Sequence, residues 1–146
     1  MTQEDKNLLL KDLCARLPYG TMLNISVNLF TDETFNARIS TIDYCGEIKV
    51  RYGFEEYEQV YSLEQIKPYL FPLSSMTKEQ YKEWCDLEAE PLEEILGRNK
   101  MSTLEHHLLI AKSLIDPVNY CYKNHFDIYG LIEKGLAIDA TNLNIY

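Results

Sequence analysis

The chain has 146 residues, 46% of them hydrophobic, with 14 basic against 23 acidic residues and a net charge of −9. That supports one domain with its own core, without metal or disulfide staples, and excludes a globally disordered chain. An acidic surface repels a phosphate backbone, which disfavours long DNA or RNA as a partner but leaves room for a local basic patch that takes a small anion.

Residues 3–17 read as a helix. Leu9, Leu10, Leu13 and Leu17 recur at three- and four-residue spacing, Thr2 caps the start, and Pro18 and Gly20 end it. From residue 21 the period falls to two. Leu23, Ile25, Val27 and Leu29 alternate as a half-buried strand does, with a turn at 31–34. Ala37, Ile39 and Thr41 continue the alternation into Ile42 and Tyr44, and Cys45-Gly46 reverses the chain. Ile48, Val50 and Tyr52 form a third strand, 53–56 a loop, and Tyr57 to Tyr61 a fourth. Four short strands joined by short turns predict an antiparallel meander, which must curl into a barrel or be covered by helices to protect its edges. A single helical turn at 62–66 and an extended run from Lys67 to Leu73, biased by Pro68 and Pro72, complete an order that looks like a small SH3-like barrel.

The second half reads as helical. Thr77 and Gln80 form a capping box for a helix to about residue 89, with Tyr81, Trp84 and Cys85 on one face and Trp84 expected to pin it to the barrel. Pro91 predicts a new short helix stopped by Gly97, and Arg98-Asn99-Lys100 an exposed link. Ser102 and Glu105 make a second capping box. The helix behind it is apolar on more than one side (Leu104, Leu108, Ile110, Ala111, Leu114, Ile115), so it is expected between layers. Asp116-Pro117 predicts a further helix start, running to about Asn124. Leu131 to Lys134 read as a helical turn closed by Gly135, and Leu136 to Ile138 as a short strand. The expected fold is therefore α+β, with a helix and small antiparallel (SH3-like) barrel or meander over 1–76 and a helical subdomain over 77–146 on one continuous core.

Little here points to catalysis. Cys14, Cys45, Cys85 and Cys121 form no CxxC pair, which argues against a zinc ribbon or a thioredoxin-type site. His106 and His107 are adjacent and so diverge by about 100° on a helix, unlike the i, i+4 pair of a zinc site. Cys121 and His125 stand four apart, and on a helix an imidazole there would lower a thiol pKa. No GxGxxG, P-loop, HExxH or GxSxG run occurs. No cofactor, metal or catalytic residue is therefore expected. The polar start Met1–Lys6 and the lack of a long apolar run predict no signal peptide and no membrane span, and a reducing cytoplasm with free thiols.

Binding is the stronger signal. Eleven tyrosines suit half-buried sites, with the ring packed and the hydroxyl wet. Tyr44, Tyr52, Phe54, Tyr57 and Tyr61 surround the loop between the third and fourth strands, where rings could stack on a base. Arg38, Lys49, Arg51 and Lys67 are the cations near enough to meet phosphates. A second polar-aromatic cluster, His125, Phe126, Asp127 and Tyr129, precedes Gly130. The expected ligand-binding residues are Tyr44, Arg51, Tyr52, Phe54, Tyr57, His125, Asp127 and Tyr129.

Three blocks carry a resemblance: Leu13 to Gly20, Ile66 to Thr77, and Asn124 to Asp127 continuing through Gly130 to Ile138. In that order they resemble a group of small proteins of Bacteroidales bacteria and their phages or mobile elements, for which no activity is established. The resemblance implies a bacterial cytoplasm and a phage connection, and no catalytic residues. Three readings stay open: a non-enzymatic protein that sequesters a nucleotide-type host signal, an adaptor for a host protein or a second copy of itself, and an enzyme built on Cys121 or the histidines.

Overall fold

The computed structural model describes residues 1–27, 33–43, 47–52, 57–97 and 103–146, and only the backbone of residues 52, 57, 58, 88–97, 103–106, 109, 112 and 113. Helix α1 (Gln3–Arg16) opens on a reciprocal cap, in which Thr2 accepts from the Asp5 amide and Asp5 from the Thr2 amide. A 3-10 turn at Leu17–Tyr19 ends at Gly20, whose φ of 62° lets the chain reverse into the sheet. Strands β1 (Met22–Ser26), β2 (Thr34–Ile42), β3 (Ile48–Tyr52) and β4 (Tyr57–Tyr61) follow as an antiparallel meander. A second 3-10 turn, Leu63–Gln65, is capped reciprocally by Ser62 and Gln65 and feeds β5 (Ile66–Pro72), antiparallel to β1.

The sheet runs β4-β3-β2-β1-β5-β6, with β7 also on β5. Strands β6 (Phe126–Asp127) and β7 (Ile138–Asp139) pair β5 in parallel. The protein is thus α+β, as expected, with the meander present but no closed SH3-like barrel. The reason is visible in β5. Beyond its rungs to β1 it bonds β7 and then β6, while α1 covers the apolar face that a closed barrel would otherwise hide.

Alternation decides which side is core. Leu23, Ile25, Ala37, Ile39, Ile48, Val50, Ile66 and Leu70 are buried and pack with Leu9 and Leu13 of α1 and with Leu131, Leu136 and Ala137. Residues from both halves of the chain therefore share one apolar cluster. A buried ion pair ties α1 to β6. Arg16 Nε donates to Asp12 Oδ2 at 2.7 Å, its Nη2 donates to the Phe126 carbonyl at 2.6 Å, and its guanidinium lies 5.1 Å from the Tyr122 ring centre.

The helical half departs from expectation in four ways. α2 (Lys78–Gly97) runs through Pro91 without a break, and α3 (Thr103–Lys123) runs through Pro117. A proline inside a helix forfeits one bond to the carbonyl four residues back, a local loss that the packing of α3 along α2 offsets. Nor is α3 buried between layers. It packs on α2, and Leu108, Ile110, Leu114, Ile115 and Val118 are exposed. Trp84 stacks on Tyr81 at 6.1 Å and lines a cleft with Leu114, Pro117 and Cys121, so it faces α3 rather than pinning α2 to the sheet. Residues 131–135 form turns instead of helix, closed by Gly135 at φ 69°. The expected link at 98–100 and the Cys45-Gly46 reversal lie outside the described residues.

Candidate ligand-binding site

The two faces of the sheet differ in chemistry because the strand period is two. Opposite the core face stand Met22 and Asn24 of β1, Asn36 and Arg38 of β2, Lys49 and Arg51 of β3, and Lys67 and Tyr69 of β5. The register aligns them in rows. Arg38 is the cross-strand partner of Met22 on one side and of Arg51 on the other, and Asn24 pairs with both Asn36 and Lys67. Seven basic residues precede residue 77 in this acidic chain. Of these, Arg16 is buried with Asp12 and Lys6 meets Glu64 at 2.7 Å. Four of the remaining five share the outer sheet face. Glu58 of β4 stands opposite Arg51 in register. Arg38, Lys49 and Lys67 make no ion pair with the described residues. Like charges directly across a ladder, as at Arg38 and Arg51, are unfavourable to one another.

Polar groups fill the middle of this face. Tyr69 donates its hydroxyl to Asn36 Oδ1 at 2.8 Å and accepts from Asn24 Nδ2 at 3.2 Å. At the β5 end an aromatic group gathers. His125 closes α3 in the left-handed region, at φ 59°, which turns the chain into β6. Its carbonyl accepts from the Phe71 amide at 2.9 Å, and its Nδ1 shares a 3.3 Å hydrogen bond with Thr21. The imidazole is stacked on Tyr146, with centroids 3.9 Å apart and planes inclined by 12°. Phe71 lies 5.9 Å from the same tyrosine ring. Burial, and then the guanidinium groups of Arg16 and Arg38, lowers the His125 pKa to about 4. Beside this stack opens a cleft of about 340 Å³, lined by Phe71, Ser75, Gln80, Lys123, Asn124, His125, Thr141 and Tyr146.

Of the residues expected at a site, His125 and Arg51 are on this surface. Asp127 is turned inward. At 7% exposure, its carboxylate accepts from the amides of Tyr129, Leu131 and Ile132 at 3.3, 2.9 and 2.9 Å, which makes it the organiser of the 128–132 turn. Tyr129 packs against the core, accepts a 3.2 Å hydrogen bond from Tyr122 and carries Lys11 5.1 Å from its ring centre. Tyr52 and Tyr57 face each other in register where β3 meets β4, and their side chains lie outside the described residues. So do Tyr44 and Phe54 entirely.

Tyr146, Phe71, Asn24, Asn36 and Lys123 were missed. Nothing local marks Tyr146, since its role comes from contacts with β1 and β5, 124 and 77 residues away. The Asn24, Asn36 and Arg38 alignment was recoverable once the strand register was fixed.

A thiol nucleophile finds no support in the geometry. Cys121 lies in the apolar cleft beside Trp84, burial pushes its thiol pKa up, and His125 has left the helix for the Tyr146 stack. That apolar cleft has a volume of about 380 Å³ and is walled by Leu73, Met76, Tyr81, Trp84, Leu114, Pro117, Val118, Cys121 and Ile128. Among the described residues no group of three or more His, Cys, Asp or Glu is placed to hold a metal, and no helix is long and apolar enough to cross a membrane. No family model matches the chain, and neither a curated protein nor a solved structure does.

Proposed function

We propose that the protein is a non-enzymatic binding protein that holds a nucleotide-type anionic ligand on the outer face of its sheet. The observation that carries this reading is the collection of Arg38, Lys49, Arg51 and Lys67 on one face of a chain with net charge −9. Concentrating cations on one surface of an acidic molecule creates a local attractive potential for a small polyanion, while the overall charge still repels a long polymer. The aromatic group at the β5 end adds ring faces for a base. The strand order β4-β3-β2-β1-β5, with its 3-10 turn before β5, supports reading the sheet as an SH3-like sheet left open.

A thermal-shift screen against nucleotides, cyclic dinucleotides and ADP-ribose tests it. A ligand at ~100 times its dissociation constant adds about 2.7 kcal/mol, which is roughly 5–10 °C for a chain of this size. The shift should fall by at least about half in the Arg38→Glu, Lys67→Glu double variant, because the attraction becomes repulsion. No shift with any phosphate-bearing compound would defeat the reading.

A second reading, a protein adaptor, rests on the α2–α3 cleft and the exposed leucines and isoleucines beside it. Its walls are almost wholly apolar, which suits the apolar stripe of a partner's amphipathic helix rather than a charged ligand. Trp84 is the sole tryptophan, so its fluorescence reports occupancy directly. A partner helix should shift its emission to the blue in the wild type and not in Leu114→Glu. Emission that responds alike in both proteins would contradict docking there.

A further inference from the structure

Tyr146 sits where the sheet ladder stops. The β1–β5 rungs run from Ile25 and Ile66 to Leu23 and Pro68, so the next rung would join Met22 to Tyr69. The Tyr146 hydroxyl occupies that rung. It donates to the Tyr69 carbonyl at 2.7 Å and accepts from the Met22 amide at 3.3 Å. Its ring is stacked on His125 and tilted against Phe71. A planar ring is thus held on its face by an aromatic and on its edge by one backbone acceptor beside one backbone donor. Each nucleobase has that pattern, a planar face and an edge that carries a donor next to an acceptor.

The surroundings complete the pattern. Arg38, the cross-strand neighbour of Met22, stands beside this rung, and the side chain lies against Gly20, where an added Cβ would meet its Cδ at 3.1 Å. The cleft lined by Lys123, Asn124 and Gln80 opens beside the stack. Tyr146 itself is 47% exposed and is not part of the apolar core cluster, so its departure would uncover none of that core.

We infer that Tyr146 is a built-in stand-in for a nucleobase: the ligand's base displaces it, takes the slot against His125 with its edge on Met22 and Tyr69, and directs its phosphates to Arg38. This rests on the nucleotide reading above and adds the base subsite and its internal competitor. The competitor makes ligand-free protein its own weak inhibitor, because the ligand must break two hydrogen bonds and a ring stack before it binds.

Isothermal titration of wild type, Tyr146→Phe and Tyr146→Ala with the 5′-monophosphates of adenosine, guanosine, cytidine and uridine tests this, with pyrophosphate as the probe that has no base. Tyr146→Ala should bind at least one nucleotide about tenfold more tightly than wild type. Tyr146→Phe should fall between, since it keeps the ring and loses both edge bonds. Pyrophosphate affinity should be the same in all three. The His125 ring resonances of Tyr146→Ala should move on nucleotide addition and stay still with pyrophosphate, which also verifies that the variant is folded. Equal nucleotide affinity in wild type and Tyr146→Ala, with pyrophosphate bound throughout, would overturn the stand-in and leave anion binding intact. No binding of nucleotide or pyrophosphate to any of the three would overturn both.

Discussion

Two residues decide how the 121–146 stretch is held, and each gives a measurable consequence. The Asp127 carboxylate collects three amides that no strand or helix satisfies. Asp127→Ala leaves two of them without a partner near the core, and should cost about 3 kcal/mol in a denaturant titration. A loss within about 0.5 kcal/mol, the range of ordinary surface changes, would show that the turn holds itself. His125 is the second. Its folded pKa of about 4 lies below the ordinary 6.5, so the unfolded chain takes the proton first as pH falls. Its contribution is complete above about pH 6.5 and disappears between there and about pH 4, by roughly 1–2 kcal/mol once partial exposure is discounted. His125→Asn, which tolerates the left-handed backbone, should flatten that part of the stability profile. A buried pair makes a third case. Arg16→Ala would strand the Asp12 carboxylate, whose pKa burial already pushes up, and should cost about 3–5 kcal/mol. A well-folded Arg16→Ala with wild-type stability would mean that Asp12 protonates at little cost.

At the scale of elements, what was legible follows local chemistry. The reciprocal caps at Thr2 and Ser62 and the alternation from Leu23 to Tyr61 fix α1, the second 3-10 turn and the meander from short-range rules. The misreadings have tertiary causes. Pro91 and Pro117 look like helix starts, yet each is carried through because two long helices pack along one another. Apolar residues on several sides of α3 read as burial, and the structure leaves that side open, with Leu114 and Ile115 at 64% and 54% exposure. This openness belongs to the element and predicts its own test. Leu114→Ser with Ile115→Ser should change stability by no more than about 0.5 kcal/mol, because neither side chain is buried. A loss of several kcal/mol would mean the face is covered in solution by a copy of the chain, and sedimentation at rising concentration would show the dimer. Part of the candidate site was out of reach for the same reason. Period two assigns Arg38 and Arg51 to a shared face and the polar-aromatic run at 125–129 marks His125, but only the fold brings Tyr146 against His125 at the end of β5.

Over the whole molecule, the outer sheet face and the α2–α3 cleft differ in kind. The outer sheet face gathers cations, hydrogen-bonding amides and stacked rings, while the α2–α3 cleft is apolar. Binding on the sheet face must weaken with added salt, since three of its cations are exposed to screening at a Debye length of about 8–10 Å. Binding in the cleft should hardly change. The most direct test of the nucleotide reading is amide and side-chain NMR mapping of the full chain titrated with ATP. The largest shifts should fall on Met22, Asn36, Arg38 and the His125 ring, with the Trp84 indole unmoved. Shifts confined to Trp84 and α3, with the sheet face silent, would contradict it.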